Sequence, residues 1–158
     1  MKKVAESLEQ LVCSFCERYK SLTEELTAVK PAESKWTLKE IIGHLIDSAA
    51  NNHQRITRLQ LMDELHFPSY ENEKWLAVEK WNSFRWLEIL SLFLYYNLFL
   101  VHLIRNTDPD CLKNRWFGQN RNGDCLFTLE ELINDYLRHF KEHLEHFETR
   151  LKEIRSGS

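Results

Sequence analysis

Apolar residues recur every three or four positions through most of the chain, and this spacing predicts amphipathic helices. The first predicted helix covers about Lys3 to Ala28. Its apolar face consists of Val4, Leu8, Leu11, Phe15, Tyr19, Leu22 and Leu26. We expect this helix to end near Pro31, because the residue before a proline disfavours the helical region.

Two further helices carry a clear start signal. Thr37 can cap the second helix, and Glu40 three residues later completes a capping box. The same arrangement recurs at Thr128 and Glu131, where the fourth helix is predicted to begin. The apolar spacing extends the second helix toward Leu65.

The third predicted helix spans about Asn82 to Asn106, between the two capped helices. A long connection follows it and reaches to Thr128, with a turn signal at Asn122-Gly123. Connections of this length in a compact domain are often functional. The fourth helix then runs to about Arg155.

Four long helices joined by two long connections predict an all-α fold. The expected architecture is a four-helix bundle with long crossover connections, in which some neighbouring helices are parallel. The 158 residues suit a single domain over residues 1–158. Only 4 glycines and 3 prolines occur, which favours long helices over an architecture of many turns.

Charge and hydropathy exclude two classes of partner. The formal net charge of −3 and the lack of a basic tract argue against binding to nucleic acid, because phosphate contacts dominate that affinity. The apolar stretch Leu87–Ile104 is interrupted by Glu88, Asn97 and His102, whereas a membrane-spanning helix needs about 20 apolar residues. We therefore predict a buried bundle helix there and no association with a membrane.

The start of the chain and its cysteines bear on the cellular compartment. The basic start Met1-Lys2-Lys3 is not followed by an apolar segment or a small-residue cleavage site, so we expect no signal peptide. The four cysteines are then expected to be free thiols, as is usual in a reducing compartment. Together these features predict a cytoplasmic protein.

The candidate chemistry lies in three histidines. His139 and His143 are four residues apart on the fourth helix, so their Cβ atoms lie roughly 5–6 Å apart on the side that faces the core. His44 lies inside the second helix beside the apolar Ile41 and Leu45, and we expect it to face the core as well. Three imidazoles on facing helices can bind one divalent metal ion and leave coordination positions open, as in catalytic metal sites.

Simpler interpretations of the same residues remain open at this point. A pair of histidines four apart occurs by chance in any His-rich helix, and a single His44 on an apolar face can be an ordinary core residue. His146 can be a substitute ligand, a group behind the ligands or an exposed side chain. Asp135 and Asp47 can orient the rings of the neighbouring histidines or can simply be solvated.

Two segments resemble the signature of the DinB-like superfamily. Residues 35–48 have a tryptophan and a capping threonine before the second helix, and a Gly-His-Leu within it. Residues 137–143 resemble the two-histidine motif of the family's fourth helix. The resemblance covers nearly the whole chain. It implies a four-helix bundle, often dimeric, in which His44, His139 and His143 hold a divalent nickel, zinc or iron ion.

Known members of this superfamily include S-transferases that use bacillithiol or mycothiol and a maleylpyruvate isomerase, while many others are described only as metal-dependent hydrolases. The resemblance implies a metal-dependent enzyme for a small-molecule substrate, acting by S-transfer to a low-molecular-weight thiol or by hydrolysis. The alternative is a non-catalytic dimeric binding or stress-response protein with a structural or vestigial His cluster. One departure from the family is His146, which stands where a glutamine is common.

Overall fold

The computed structural model describes residues 1–120 and 123–157, and for residues 119–120 and 123–126 it describes the backbone alone. The helices are α1 (Lys2–Tyr19), α2 (Glu24–Thr27), α3 (Leu38–Leu59), α4 (Asn72–Glu79), α5 (Trp86–Arg105) and α6 (Leu129–Ser156). The strands β1 (Glu64–His66), β2 (Arg115–Asn120) and β3 (Gly123–Thr128) form one small sheet in the order β1-β2-β3. The predicted all-α class is confirmed, because the long helices supply most of the core and the sheet is confined to the connections.

The four long helices α1, α3, α5 and α6 form a bundle around an aromatic core. α3 packs against α5 and α6, and α1 packs against the same two helices. Phe15 of α1 contacts Phe93 of α5 and Phe147 of α6, with ring centroids 5.6 and 4.8 Å apart. Trp86, at the start of α5, stacks on Phe147. α3 and α6 lie in direct contact, although they are far apart in the sequence.

The first predicted helix, Lys3 to Ala28, is wrong in its second half. α1 ends at Tyr19, and α2 follows as a separate short helix. Thr23 caps α2 by accepting a hydrogen bond from Leu26 N at 3.2 Å. The Tyr19 carbonyl accepts a 2.9 Å hydrogen bond from the indole N–H of Trp86. A contact with α5 and a local cap therefore override a helical pattern that continues through this segment.

Both predicted capping boxes are present. Thr37 Oγ1 accepts a hydrogen bond from Glu40 N at 3.1 Å, while the Glu40 carboxylate accepts one from Thr37 N at 2.8 Å. Thr128 and Glu131 exchange the corresponding bonds at 3.2 and 2.8 Å. Each box satisfies backbone donors at a helix start that have no partner within the helix. The starts of α3 and α6 are thus set by local sequence.

The small sheet forms where the sequence predicted the end of the second helix and a long connection without strands. The extension of the second helix toward Leu65 is wrong, because α3 ends at Leu59 and Leu65 lies in β1. β1 pairs in parallel with β2, with Leu65 opposite Trp116. The long connection that leads to α6 contains the antiparallel hairpin β2–β3. Its predicted turn includes Asn122, which lies outside the described residues.

The chain between β1 and α5 runs along α3. It contains α4 and a 3-10 turn at Trp81–Ser83, so α5 begins later than predicted, at Trp86. Lys80 adopts the left-handed conformation, with φ 52° and ψ 47°, between α4 and this turn. Trp81 packs over Gly43 of α3, where a Cβ atom would lie 2.5 Å from the indole ring. This packing fixes the segment beside the middle of α3.

By length and composition alone, α5 could cross a membrane, with a mean hydropathy of 1.8 over 18 residues. A core helix passes the same test, so this observation is weak evidence for a span. Trp86, Phe93, Asn97 and Leu100 of α5 are buried in the bundle. Tyr136 of α6 donates a 2.6 Å hydrogen bond to Asn97 Oδ1, which satisfies the polar group within this apolar helix. The predicted bundle helix is therefore confirmed.

Candidate metal centre

The structure brings the imidazoles of His44, His139 and His143 together between α3 and α6. One ring nitrogen of each residue can be chosen so that all three atoms lie within 4.8 Å of one another. The Nε2 atoms of His44 and His139 are 3.3 Å apart. The ring centroid of His143 lies 4.5 Å from that of His44 and 4.5 Å from that of His139. Two helices therefore direct three nitrogen donors toward one shared volume.

Local sequence explains this convergence. His139 and His143 are one turn apart on α6, which places them on the same side of that helix. Ile41 and Leu45, which flank His44 on α3, are both fully buried, so the packing of α3 also carries His44 inward. Phe140, fully buried beside His139, anchors α6 in the core. The apolar stripes of the two helices thus position the histidines.

Burial keeps the three imidazoles neutral. Desolvation, together with the neighbouring His143 and His139, lowers the pKa of His44 to about 3. Desolvation and the other histidines also lower the pKa of His143 to about 4. The pKa of His139 is lowered too, chiefly by burial. Neutral imidazole is the form that binds metal ions, so at neutral pH no proton has to leave before binding.

The donor set fits a divalent cation of the first transition row. The buried Nδ1 atoms of His44 and His143 have no hydrogen-bond partner among the described residues. Buried polar atoms without partners are unfavourable, and a cation bound through either of these atoms would relieve part of that deficit. Imidazole nitrogens suit zinc, nickel and iron. Among the described residues only the three histidines form such a group, so further coordination positions are left for small molecules.

Two aromatic side chains flank His44, one of which also contacts His143, and the sequence predicts no role for either. The Trp36 ring stacks on His143 with an interplanar angle of 14° and lies 5.2 Å from the His44 ring. The Tyr70 ring lies 6.2 Å from the His44 ring. Trp36 lies within residues 35–48, and the resemblance of this segment to the DinB-like signature was the one sequence signal for it. Tyr70 lies in an irregular segment whose pattern carried no signal.

His146 stays outside the group of three. Arg150 Nη2 lies 3.3 Å from His146 Nε2, so the side chain is engaged with a cation on its own helix. Arg150 is in turn held by Glu153 at 3.1 Å and by the backbone carbonyl of Trp36. The His146 ring is 6.0 Å from that of His143. His146 therefore borders the three histidines and links them to a fixed arginine.

The two aspartates beside the histidines behave differently. Asp135 forms an ion pair with Arg138 at 2.7 Å on the surface of α6, as expected for a solvated acid. Asp47 is only 4% exposed, so the interpretation of this residue as a solvated acid is wrong. The sequence offered no partner for Asp47, since the groups around it come from the segment before α5.

Other aromatic, basic and thiol side chains of the described residues do not join the three histidines. Trp81, Trp86 and Trp116 are buried and pack as core residues, whereas Trp75 is half exposed and contacts Tyr70. Arg115 forms an ion pair with Glu64 on the sheet. Lys113 is exposed, and Arg121 lies outside the described residues. The free thiols Cys13, Cys16 and Cys111 belong to other parts of the fold.

Comparison with known proteins identifies the fold. No protein-family model matches the chain, and no curated protein matches it. Among solved structures, it is similar to YfiT from Bacillus subtilis, described as a probable metal-dependent hydrolase with an unusual four-helix bundle topology. The TM-score is 0.80 at 20% sequence identity, over 98% of this chain and 86% of that chain. The architecture implied by the DinB-like resemblance is therefore confirmed, and this chain has the YfiT-like four-helix bundle fold.

Proposed function

We propose that the chain is a metal-dependent hydrolase of a small molecule, and that His44, His139 and His143 bind its divalent cation. The observation that carries this proposal is the convergence of three neutral imidazoles on one volume, that of His44 buried and those of His139 and His143 half-buried. The described activity of YfiT, which shares the fold, favours hydrolysis over other reactions. A donor set of three histidines without a fourth protein ligand is the pattern of catalytic rather than structural metal sites.

The protein groups have separate tasks in this proposal. A bound cation would supply Lewis acidity, which polarises a substrate oxygen and lowers the pKa of a coordinated nucleophile. The three imidazoles, in their neutral form, would hold the cation, and the packing of α3 against α6 keeps the spacing of the imidazoles fixed. Trp36 and Tyr70 flank His44 and limit the access of bulk water, which strengthens electrostatic interactions there.

Two other functions make different predictions. An S-transferase would use the same three histidines but would consume a low-molecular-weight thiol and form a thioether. A non-catalytic bundle with a structural or vestigial His cluster would turn over neither class of substrate. No described contact around the histidines favours either function, whereas the YfiT comparison supports hydrolysis.

Three further properties are proposed with the function, namely the oligomeric state, the cellular location and the size of the substrate. A homodimer is supported by the exposed apolar side chains on α5, among them Leu87 and Tyr95, which are 59% and 69% exposed. A cytoplasmic location is supported by the three described cysteines, which are free thiols. The substrate is proposed to be a small molecule because the histidines lie inside the bundle rather than on an open surface.

Metal analysis of untagged protein tests the ligand assignment. We expect about one divalent ion per chain in the wild type and loss of that ion in His143→Ala and His44→Gln, because two remaining imidazoles bind far more weakly. The matched control is His102→Ala, since His102 is exposed on α5, away from the three histidines. Full metal content in His143→Ala, or no metal in the wild type after loading with zinc or nickel, contradicts the proposal.

The reaction is tested with metal-loaded protein. A panel of ester, amide and phosphoester substrates is compared with a thiol-conjugation assay on the same preparation. Turnover of a hydrolytic substrate that disappears in His143→Ala supports the proposal. Thioether formation without hydrolysis shows an S-transferase instead, and inactivity in both assays favours the non-catalytic alternative.

A further inference from the structure

Asp47 is a buried acid one turn away from a proposed metal ligand. It follows His44 by three residues on α3, so the two side chains lie on the same side of that helix. Asp47 is 4% exposed, and its Oδ2 atom has no N–H or hydroxyl partner among the described residues. A buried carboxylate without donors is strongly unfavourable. The buried environment therefore favours the protonated, neutral form of Asp47.

The partner of Asp47 is a second carboxyl group. The side chain of Glu79, the last residue of α4, lies close enough to that of Asp47 for a hydrogen bond between the two carboxyl groups. Two ionised carboxylates offer only acceptors, so this bond requires a proton on one of the two groups. Burial, reinforced by Glu79, raises the pKa of Asp47 to about 8. Both effects favour a neutral, proton-bearing Asp47 next to Glu79.

Glu79 is held in place by the neighbouring Trp81. The Trp81 indole donates a 2.9 Å hydrogen bond to Glu79 Oε2. Trp81 itself is buried and packs on the backbone of Gly43, next to His44 in the sequence. The tight packing of this segment on α3 thus brings the second carboxyl group to the first.

Tyr70 connects the carboxyl pair to the three histidines. Its side chain hydrogen bonds to that of Ser48 and interacts electrostatically with both Asp47 and Glu79. The same ring lies 6.2 Å from the ring of His44. Arg55, a buried cation of α3, interacts electrostatically with Tyr70, and no cation among the described residues contributes to the pKa shift of Asp47.

We propose that Asp47 and Glu79 share one proton beside the three-histidine centre, and that this pair is the proton donor and acceptor of the reaction there. The proposal deepens the proposed function and rests on it. From the sequence, Asp47 could be expected only to orient a histidine or to be solvated, and Glu79 carried no signal. Paired carboxyl groups of which one stays neutral are a common source of acid and base catalysis.

The proton balance of a hydrolysis defines the task of the pair. As the bond between the substrate's acyl or phosphoryl group and its leaving atom breaks, the shared proton moves to the leaving atom. The oxygen of one water molecule forms the new bond, and one proton of that water returns to the pair. The second proton of the water stays with the product, so the pair ends in its starting state and no electrons are transferred.

Infrared spectroscopy of metal-free protein at neutral pH tests the shared proton directly. A protonated carboxyl group gives a C=O stretching band that ionised carboxylates lack. We expect this band in the wild type and its loss in both Asp47→Asn and Glu79→Gln. Each variant keeps an amide donor for the remaining carboxylate, so the hydrogen bond survives while the proton becomes unnecessary.

The matched control for the band is Asp135→Asn. Asp135 is an acid of α6 that forms an ion pair with Arg138, and its removal should leave the band unchanged. Absence of the band in the wild type overturns the proposal. Persistence of the band in Glu79→Gln also overturns it, since Asp47 would then be neutral through burial alone and no proton would be shared.

Titration with zinc separates this proposal from the proposed function. We expect one equivalent of bound zinc to weaken or shift the band in the wild type, because a nearby cation favours the ionised pair. In His143→Ala the same addition should leave the band unchanged. Stoichiometric zinc binding without any change in the band overturns the role of the pair at the centre. Failure of zinc to bind overturns the proposed function, while the metal-free band still reports the shared proton.

Discussion

At the scale of single residues, the cluster is governed by burial of groups that water would otherwise solvate. His44 is 2% exposed and has two other imidazoles with ring centroids 4.5 and 5.2 Å away, which disfavours its charged form. In the unfolded chain the same imidazole is solvated and titrates at an ordinary pKa of about 6.5. This difference couples the protonation of the site to the stability of the metal-free fold.

The metal-free protein should lose stability from this residue as the pH falls below about 6.5. Below that value the unfolded chain binds a proton on His44, whereas the folded chain resists it until its lowered pKa of about 3. The unfolded state then binds more protons, so its free energy falls relative to the folded state. From pH 7 to pH 5.5 we expect a loss of about 1 kcal/mol from His44.

Urea unfolding at the two pH values measures this loss. His44→Gln should lose about 1 kcal/mol less than the wild type over the interval, because the glutamine does not titrate. Comparing the two proteins cancels the contribution of the other titrating groups. His102→Gln, at an exposed position of α5, is the matched control and should follow the wild type. An equal loss in His44→Gln and the wild type would rule out the expected burial effect.

The residues of the cluster were partly visible in the sequence. His139 and His143 share a helix face because of their spacing, and His44 lies beside apolar positions, so their common inward direction could be predicted. The acidic partner of Asp47 could not be predicted, because Glu79 lies on a short helix with little amphipathic pattern. Its approach depends on tertiary packing, and no local rule relates residues 32 positions apart.

At the scale of elements, α3 is fixed by the segment that crosses it. Gly43 has the indole ring of Trp81 where a side chain would begin, with a Cβ distance of 2.5 Å. A glycine inside a helix usually lowers stability by roughly 0.5–1 kcal/mol relative to alanine. Its presence at this position follows from the close approach of Trp81, which also orients Glu79.

Gly43→Ala should therefore destabilise the fold, although alanine is the better helix former. The expected net loss is about 1–2 kcal/mol, because overpacking of a core typically costs about 1–3 kcal/mol and the helix preference offsets part of it. Urea unfolding of a double-mutant cycle with Trp81→Leu measures the coupling. In the Trp81→Leu background the alanine should be neutral or stabilising. An equal effect in both backgrounds would show that the ring contact is not the cause.

The elements could be predicted where their signals were local. The capping boxes at Thr37 and Thr128 set the starts of α3 and α6, and both were readable from four consecutive residues. The end of α1 at Tyr19 depends on Trp86, which is 67 residues away. The hairpin of β2 and β3 lies where composition indicated a loop, and its pairing with β1 is set by a strand far away in the chain. Long-range contacts thus account for the predictions that failed.

At the scale of the whole molecule, α5 has two apolar faces. The side that contains Phe93 and Leu100 is buried in the bundle, as in any core helix. The opposite side also carries large apolar residues that remain exposed, namely Leu87, Leu92, Tyr95 and Phe99. Polar residues are expected on the outer face of a bundle helix, and a contiguous apolar patch there is typical of an interaction surface. This patch is the natural place for the proposed homodimer.

The dimer proposal predicts that charge on this patch separates the subunits. Tyr95 is 69% exposed, so Tyr95→Glu should leave the core of the monomer intact while placing a carboxylate in the contact. Light scattering coupled to size-exclusion chromatography should give twice the chain mass for the wild type and the single mass for this variant. Leu61→Glu is the matched control, because Leu61 is 78% exposed but lies beyond the end of α3. A monomeric wild type, or a Tyr95→Glu protein that remains dimeric, would show that α5 does not form the contact, and the apolar patch would then need a different partner.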